Sequence, residues 1–158
     1  MAVLLPYLKI VCGETLFLLR EPDECAEFTL DQEETFILNH TEGARSCLLL
    51  AFLDDEYIGN ASFDTAGNSR RNFHRADIGI ALYSEYTNMG IGTILFASLL
   101  EAIRTCGFET AELKVVSGND RAIHLYEKFG FTECGRIPNA NKYDDGTYSD
   151  EIIMAKRM

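Results

Sequence analysis

The stretch from Ala76 to Val116 constrains the fold most, because its hydrophobic period changes twice. Ile78, Ile80 and Leu82 alternate with Asp77, Gly79, Ala81 and Tyr83, the period of a strand with one face inward. From Gly90 to Cys106 the apolar positions Ile91, Leu95, Leu99, Ala102, Ile103 and Cys106 follow helical spacing, and Gly107 is placed to end the helix. Thr110 to Val116 reads as strand again. Strand, helix and strand in succession make a right-handed crossover between parallel strands, and such a unit requires a sheet packed against helices.

The remaining elements extend that unit. Thr15 to Leu19 reads as a strand, and Pro22 with Asp23 and Glu24 opens a helical region that reaches about His40 in two pieces. Ser46 to Leu53 and Tyr57 to Phe63 form a hairpin around Asp54-Asp55-Glu56. A helix capped by Ser117 or Asn119 buries Ala122, Ile123, Tyr126 and Phe129 and stops at Gly130. Phe131 to Pro138 and Tyr148 to Ala155 close the sheet, joined through Asp144-Asp145-Gly146. The expected class is α/β (α+β): a mixed, mostly antiparallel sheet of about seven strands with helices on both faces. With 158 residues, no repeat and no Pro-rich linker, residues 1–158 are expected to form one domain.

Charge narrows the function. Fourteen basic against 25 acidic residues give a net charge of −11, which argues against nucleic acid and favours a cationic partner such as an amine. Cys12, Cys25, Cys47, Cys106 and Cys134 form no CxxC pair, and their odd number points to thiols in a reducing, cytoplasmic setting. None has a recognisable low-pKa setting, so a cysteine nucleophile is not expected. His40, His74 and His124 lack metal-ligand spacing, so no metal is expected. Met1 to Leu8 is apolar without a basic leader, and the charge-free run Tyr86 to Leu100 is short of the roughly 20 apolar residues a bilayer needs. No membrane role is expected.

Two constellations carry chemistry. Tyr86-Thr87-Asn88-Met89-Gly90-Ile91-Gly92-Thr93 leads from a strand end into a helix through two glycines. Orphan amides and the positive end of the helix dipole favour an anion there, and glycine lets a phosphate approach the backbone. The turn lacks the Gly-Lys-Ser/Thr of a Walker loop, and a dinucleotide fingerprint would need glycine where Leu95 stands. The second constellation is Asn119-x-x-Ala122-x-x-Leu125-Tyr126-x-x-x-Gly130-Phe131.

Together they resemble the GNAT superfamily of acyl-CoA-dependent N-acyltransferases, strongly from Asp77 to Phe131 and as an element pattern from about Thr15 to Lys156. The resemblance implies that Thr87-x-x-Gly90-x-Gly92 stands for the family's pyrophosphate-binding turn, with Thr87 where Arg or Gln is usual. It implies acetyl-CoA as cofactor, bound by Leu82, Thr87, Asn88, Met89, Gly90, Ile91, Gly92 and Thr93, with Asn119 and Tyr126 beside pantetheine and thioester. It also implies direct transfer to a small-molecule amine or a protein N-terminal amine in a ternary complex.

A primary amine with a pKa near that of lysine, about 10.4, is protonated at neutral pH and must lose a proton before it attacks. Asp77 resembles the acidic position many relatives use, with Glu85, Asp150 and Glu151 as alternatives. Tyr126 is placed to protonate the departing thiolate or else to fill the core. Tyr143, Asp150 and Glu151 belong to an acidic, aromatic segment suited to a cationic acceptor. Arg70, Arg71, His74 and Arg75 form a basic cluster that suits the cofactor's 3'-phosphate, a substrate carboxylate or plain solvent. These expectations leave room for a homodimer. The rival readings are a catalytically degenerate acyl-CoA sensor and a nucleotide-binding regulatory domain.

Overall fold

The computed structural model describes residues 4–158. Its elements are α1 (Leu4–Glu14), α2 (Pro22–Ala26), α3 (Leu30–Glu42), β1 (Cys47–Leu53), β2 (Glu56–Thr65), β3 (Arg75–Leu82), α4 (Ile91–Thr105), β4 (Thr110–Val116), α5 (Asp120–Lys128), β5 (Thr132–Lys142) and β6 (Tyr148–Arg157), with a 3-10 turn at Ser84–Tyr86. The described residues form a six-stranded sheet in the order β1-β2-β3-β4-β6-β5, parallel only between β3 and β4. The mixed, mostly antiparallel architecture matches the expectation, and the count is six strands in place of about seven.

The missing strand is Thr15 to Leu19. Cys12 and Cys25 are joined as a disulfide across 13 residues, so the segment between them is a closed loop that packs over the sheet without joining it as a strand. Thr15 Oγ1 also accepts the Phe17 amide at 3.1 Å, closing a local turn. This disulfide stands against the expected reducing setting, and it joins the end of α1 to the middle of α2, which pack side by side. Cys47, Cys106 and Cys134 are free. The helical region to His40 is two helices, as its composition suggests: Pro22 occupies the first turn of α2, and Thr29 caps α3 through a reciprocal box with Gln32.

The layers follow from alternation. Ala76 and Ile78 of β3, Ala111, Leu113 and Val115 of β4, and Ile152 and Met154 of β6 pack on one face against Leu95, Phe96, Leu99 and Ile103 of α4. On the opposite face Tyr7, Val11, Cys12 and Cys25 form a smaller core with Tyr57, Ala81 and Tyr83. Helices therefore lie on both faces. Among the described residues no helix is long and apolar enough to cross a membrane. The start of the apolar Met1 to Leu8 stretch lies outside them.

Candidate active site

β3 and β4 are in register only at Arg75↔Thr110, Ala76↔Ala111 and Asp77↔Glu112. Beyond that point β3 stays paired with β2 as far as Leu82, and β4 stays paired with β6 as far as Val116. Each strand is held by its outer neighbour while the two diverge, so a cleft opens in the middle of the sheet. A cavity of about 970 Å³ occupies it, near the upper end for small-molecule sites. Ile78 to Leu82 form one wall and Lys114 and Val115 the other. The start of α4 and one face of α5 close one side, and the loop after α1 covers the other.

Gly90 caps α4 with φ 82°, a left-handed conformation that a side chain would strain. Asn88, two residues earlier, is also left-handed at φ 61°. These two reversals swing the chain from the strand end into the helix, leaving the first-turn amides of Ile91 and Gly92 without intrahelical acceptors. A Cβ on Gly92 would meet Leu82 Cδ1 at 3.6 Å and Leu125 Cδ2 at 3.9 Å, ordinary contacts that would nonetheless narrow the passage between β3 and α5. Thr87 lines the cavity, and its hydroxyl donates to the Ser84 carbonyl at 2.5 Å.

Asn119 caps α5 by accepting the Ala122 amide at 3.3 Å, so its NH₂ group remains available to the cavity. Tyr126 is 7% exposed and packs against Phe96 and Phe131. It also lines the cavity, and burial pushes its pKa up to about 12.

Of the residues singled out in the sequence, Leu82, Thr87, Asn88, Gly90, Gly92, Thr93, Asn119 and Tyr126 come together on the cavity lining. Met89, Ile91, Asp77, Glu85, Tyr143, Asp150 and Glu151 are not on it. Met89 is solvent-exposed at the turn. Ile91 contributes its position in the first helical turn, and Glu85 sits in the 3-10 turn. Asp77 lies on the sheet face away from α4, at the closed end of the cleft, its carboxyl raised first by burial and then by Glu112.

The acidic segment is internally compensated. Asp150 accepts the Asn139 amide at 3.0 Å and pairs with Arg136 at 3.3 Å, which holds its carboxyl below the ordinary range. Glu151 pairs with Lys114. The Tyr143 hydroxyl donates to the Leu16 carbonyl at 3.1 Å, tying the β5–β6 hairpin to the loop after α1. Arg75 of the basic cluster is taken up by Glu112 through two contacts of 2.6 Å.

Several lining residues were not singled out as site residues in the sequence. Glu14, whose Oε2 accepts the Ser84 amide at 2.8 Å, and Phe17 to Leu19 come from α1 and its loop. Asn60, Ser62 and Lys114 come from the sheet face opposite α4. Lys114 was legible in principle, since Leu113 and Val115 point into the α4 core and the residue between them must face the other way.

The model of the acetyltransferase (GNAT) family matches residues 14–131. The chain is a member of the GNAT acetyltransferase family. It is 32% identical over 111 residues to the L-amino acid N-acetyltransferase AaaT of Escherichia coli, an alignment spanning 68% of this chain and 66% of that protein. It is 31% identical over 123 residues to the [ribosomal protein bS18]-alanine N-acetyltransferase of Salmonella typhimurium, 78% of each chain. The match to the Escherichia coli bS18 enzyme spans about half of that relative, 51%.

Among solved structures, a GNAT-family acetyltransferase from Streptococcus pneumoniae superposes with a TM-score of 0.91 at 28% identity, covering 98% of this chain and 92% of that one. YncA of Salmonella typhimurium, solved with its cofactor acetyl-CoA, superposes at 0.84 with 16% identity, covering 99% and 87%. That likeness shows the fold.

Proposed function

We propose that this GNAT enzyme transfers the acetyl group of acetyl-CoA to a primary amine by direct attack within a ternary complex. The observation that carries this reading is the cleft itself. One cavity joins the two-glycine start of α4, the unpaired edge of β3, Asn119 and Tyr126. The amides of Ile91 and Gly92 suit the pyrophosphate, and the positive end of α4 favours its charge. The β3 edge from Ile78 to Leu82 has backbone groups free of a β4 partner and suits pantetheine and the acyl carbonyl. Acetyl-CoA supplies the activated acyl group as a thioester.

The enzyme's own residues then manage protons. The new C–N bond forms as the C–S bond breaks, the nitrogen gives up a proton, and the thiolate ends as a thiol. With a pKa near 12 against about 8.5 for a thiol, full transfer from Tyr126 would be uphill by roughly 5 kcal/mol. Tyr126 therefore acts as a hydrogen-bond donor that stabilises the departing sulfur, and the thiolate takes its final proton from water. Asp120 at the start of α5 and Glu14 at the end of α1 both reach the lining, and Glu14, across the cavity from α5, receives the amine proton, directly or through water. Asp77, at the closed end of the cleft, and Glu85, in the turn, stand off this path. Among the described residues no cysteine lines the cavity, which supports direct transfer over an acyl-enzyme.

Relatives named for amino acids and for an alanine of bS18 support an amine acceptor. Asp150 and Glu151 are engaged by Arg136 and Lys114, so acceptor charge is set by the cavity lining rather than by these two acids. Calorimetry with acetyl-CoA and ATP, followed by thiol release across an amine panel, tests the reading. Binding of acetyl-CoA and amine-dependent thiol release are expected. Binding without release would make the protein a sensor, and preference for ATP would overturn the cofactor.

A further inference from the structure

Among the described residues, Lys114 is the one basic residue on the cavity lining outside α5. Its neighbours Leu113 and Val115 are buried against α4, so it projects from the opposite face of the sheet, on the acceptor side. Nζ lies 3.5 Å from Glu151 Oε1, and the two ends of this pair differ: the Glu151 side chain is 11% exposed and the Lys114 side chain 58%. A buried carboxylate thus anchors the ammonium from one side, and an ammonium, with three N–H donors, keeps others for a ligand in the cavity that Lys114 lines.

The floor beside Lys114 is built for a small anion. Gly79 follows the last parallel pair by two residues and is the register partner of Ser62 on β2. Gly79 adds no side chain to this floor, where a Cβ would meet the Ser62 hydroxyl oxygen at 3.6 Å, and Ser62, Gly79 and Lys114 line the same cavity. Above this floor Val11, Phe17, Leu18 and Leu19 give an apolar roof. Cation, hydroxyl and apolar roof therefore belong to one cavity, on the sheet face away from α4.

Resting on the acetyl-transfer reading, we propose that the acceptor is a free α-amino acid with an apolar side chain, its carboxylate held by Lys114 and Ser62. A free amino acid carries its carboxylate on the carbon that bears the amine, so one anchor positions the nitrogen. A peptide N-terminus or a simple amine presents no charge at that point. Glu151 acts as a positioning residue through Lys114.

The test measures kcat/KM by thiol release at saturating acetyl-CoA for L-leucine, L-phenylalanine and L-alanine, each beside its own amide. At least one acid is expected to exceed its amide by about 10- to 100-fold, the range of a charge-assisted hydrogen bond. In Lys114→Met the ratio should collapse toward one, mainly through KM of the acid, while Lys114→Arg retains the preference. Amides used as well as acids, or equal losses on both in Lys114→Met, would overturn the proposal. Calorimetry of N-acetyl-leucine against N-acetyl-leucinamide, with coenzyme A present, reads the subsite without turnover. Lys114-dependent binding of the acid in a protein that releases no thiol supports the subsite and refutes the transfer reading. Transfer without any preference for acids does the reverse.

Discussion

Asp77 and Glu112 are the last register partners between β3 and β4, and the sheet divides immediately beyond them. The pair marks the closed end of the cleft. Two carboxylates face each other there, and Arg75 neutralises Glu112 while Asp77 keeps a raised pKa. A group whose folded pKa is raised binds its proton more tightly in the native state, so stability falls as pH climbs from the unfolded value of about 3.9 through the folded one. Asp77→Asn removes that penalty. Thermal melts should show the variant more stable than the parent at pH 7, with the difference vanishing toward pH 3.

Proton removal separates Asp77 from Glu14. Glu14→Gln keeps an oxygen for the Ser84 amide, so the loop stays in place while the proton acceptor is lost. Turnover near neutral pH is expected to fall by about 10- to 1,000-fold, consistent with loss of a general base, and Asp77→Asn to remain within about threefold of the parent. The opposite ranking in steady-state rates would return the base to Asp77.

The α4 entrance can be narrowed without unfolding the protein. Gly92 has a helical conformation and room for a Cβ, so Gly92→Val should stay folded while filling the passage beside Leu82 and Leu125. Calorimetry should record acetyl-CoA affinity reduced at least about tenfold, some 1.4 kcal/mol. Thr87→Arg should leave affinity equal or tighter, because the Thr87 hydroxyl is turned back onto Ser84 and contributes little reach.

Tyr126→Phe deletes a hydroxyl and little volume. Because the phenol stays protonated until its pKa of about 12, the pH profile of the parent should rise with amine deprotonation and show no alkaline fall through about pH 10. The variant should lose about 10- to 100-fold in kcat with acetyl-CoA affinity nearly unchanged. Parent-like kcat would make Tyr126 a packing residue for Phe96 and Phe131.

The sequence-based reading was strongest where local periodicity and tertiary structure agree. Ile78, Ile80 and Leu82 announce β3, Leu95 and Leu99 announce α4, and the glycines at 90, 107 and 130 end or begin helices where left-handed φ is needed. Two kinds of information were not local. Thr15 to Leu19 has strand composition, but the Cys12–Cys25 link and the Tyr143 contact to Leu16 hold it as a loop over the cavity. Glu14 enters the site because α1 folds over it, which nothing in its immediate neighbours marks, whereas the alternation of Leu113 and Val115 tells which face Lys114 takes but not that a cleft lies there. The acids at Asp150 and Glu151 looked available for a cation until Arg136 and Lys114 proved to be their partners.

The central claim is direct acetyl transfer in the β3–β4 cleft. It is tested most directly by initial rates over a grid of acetyl-CoA and amine concentrations, with the acetylated amine counted against released thiol. Intersecting double-reciprocal lines and one acetylated amine per thiol are predicted. Parallel lines with a covalently acetylated enzyme, or no amine-dependent thiol at any concentration, would contradict it.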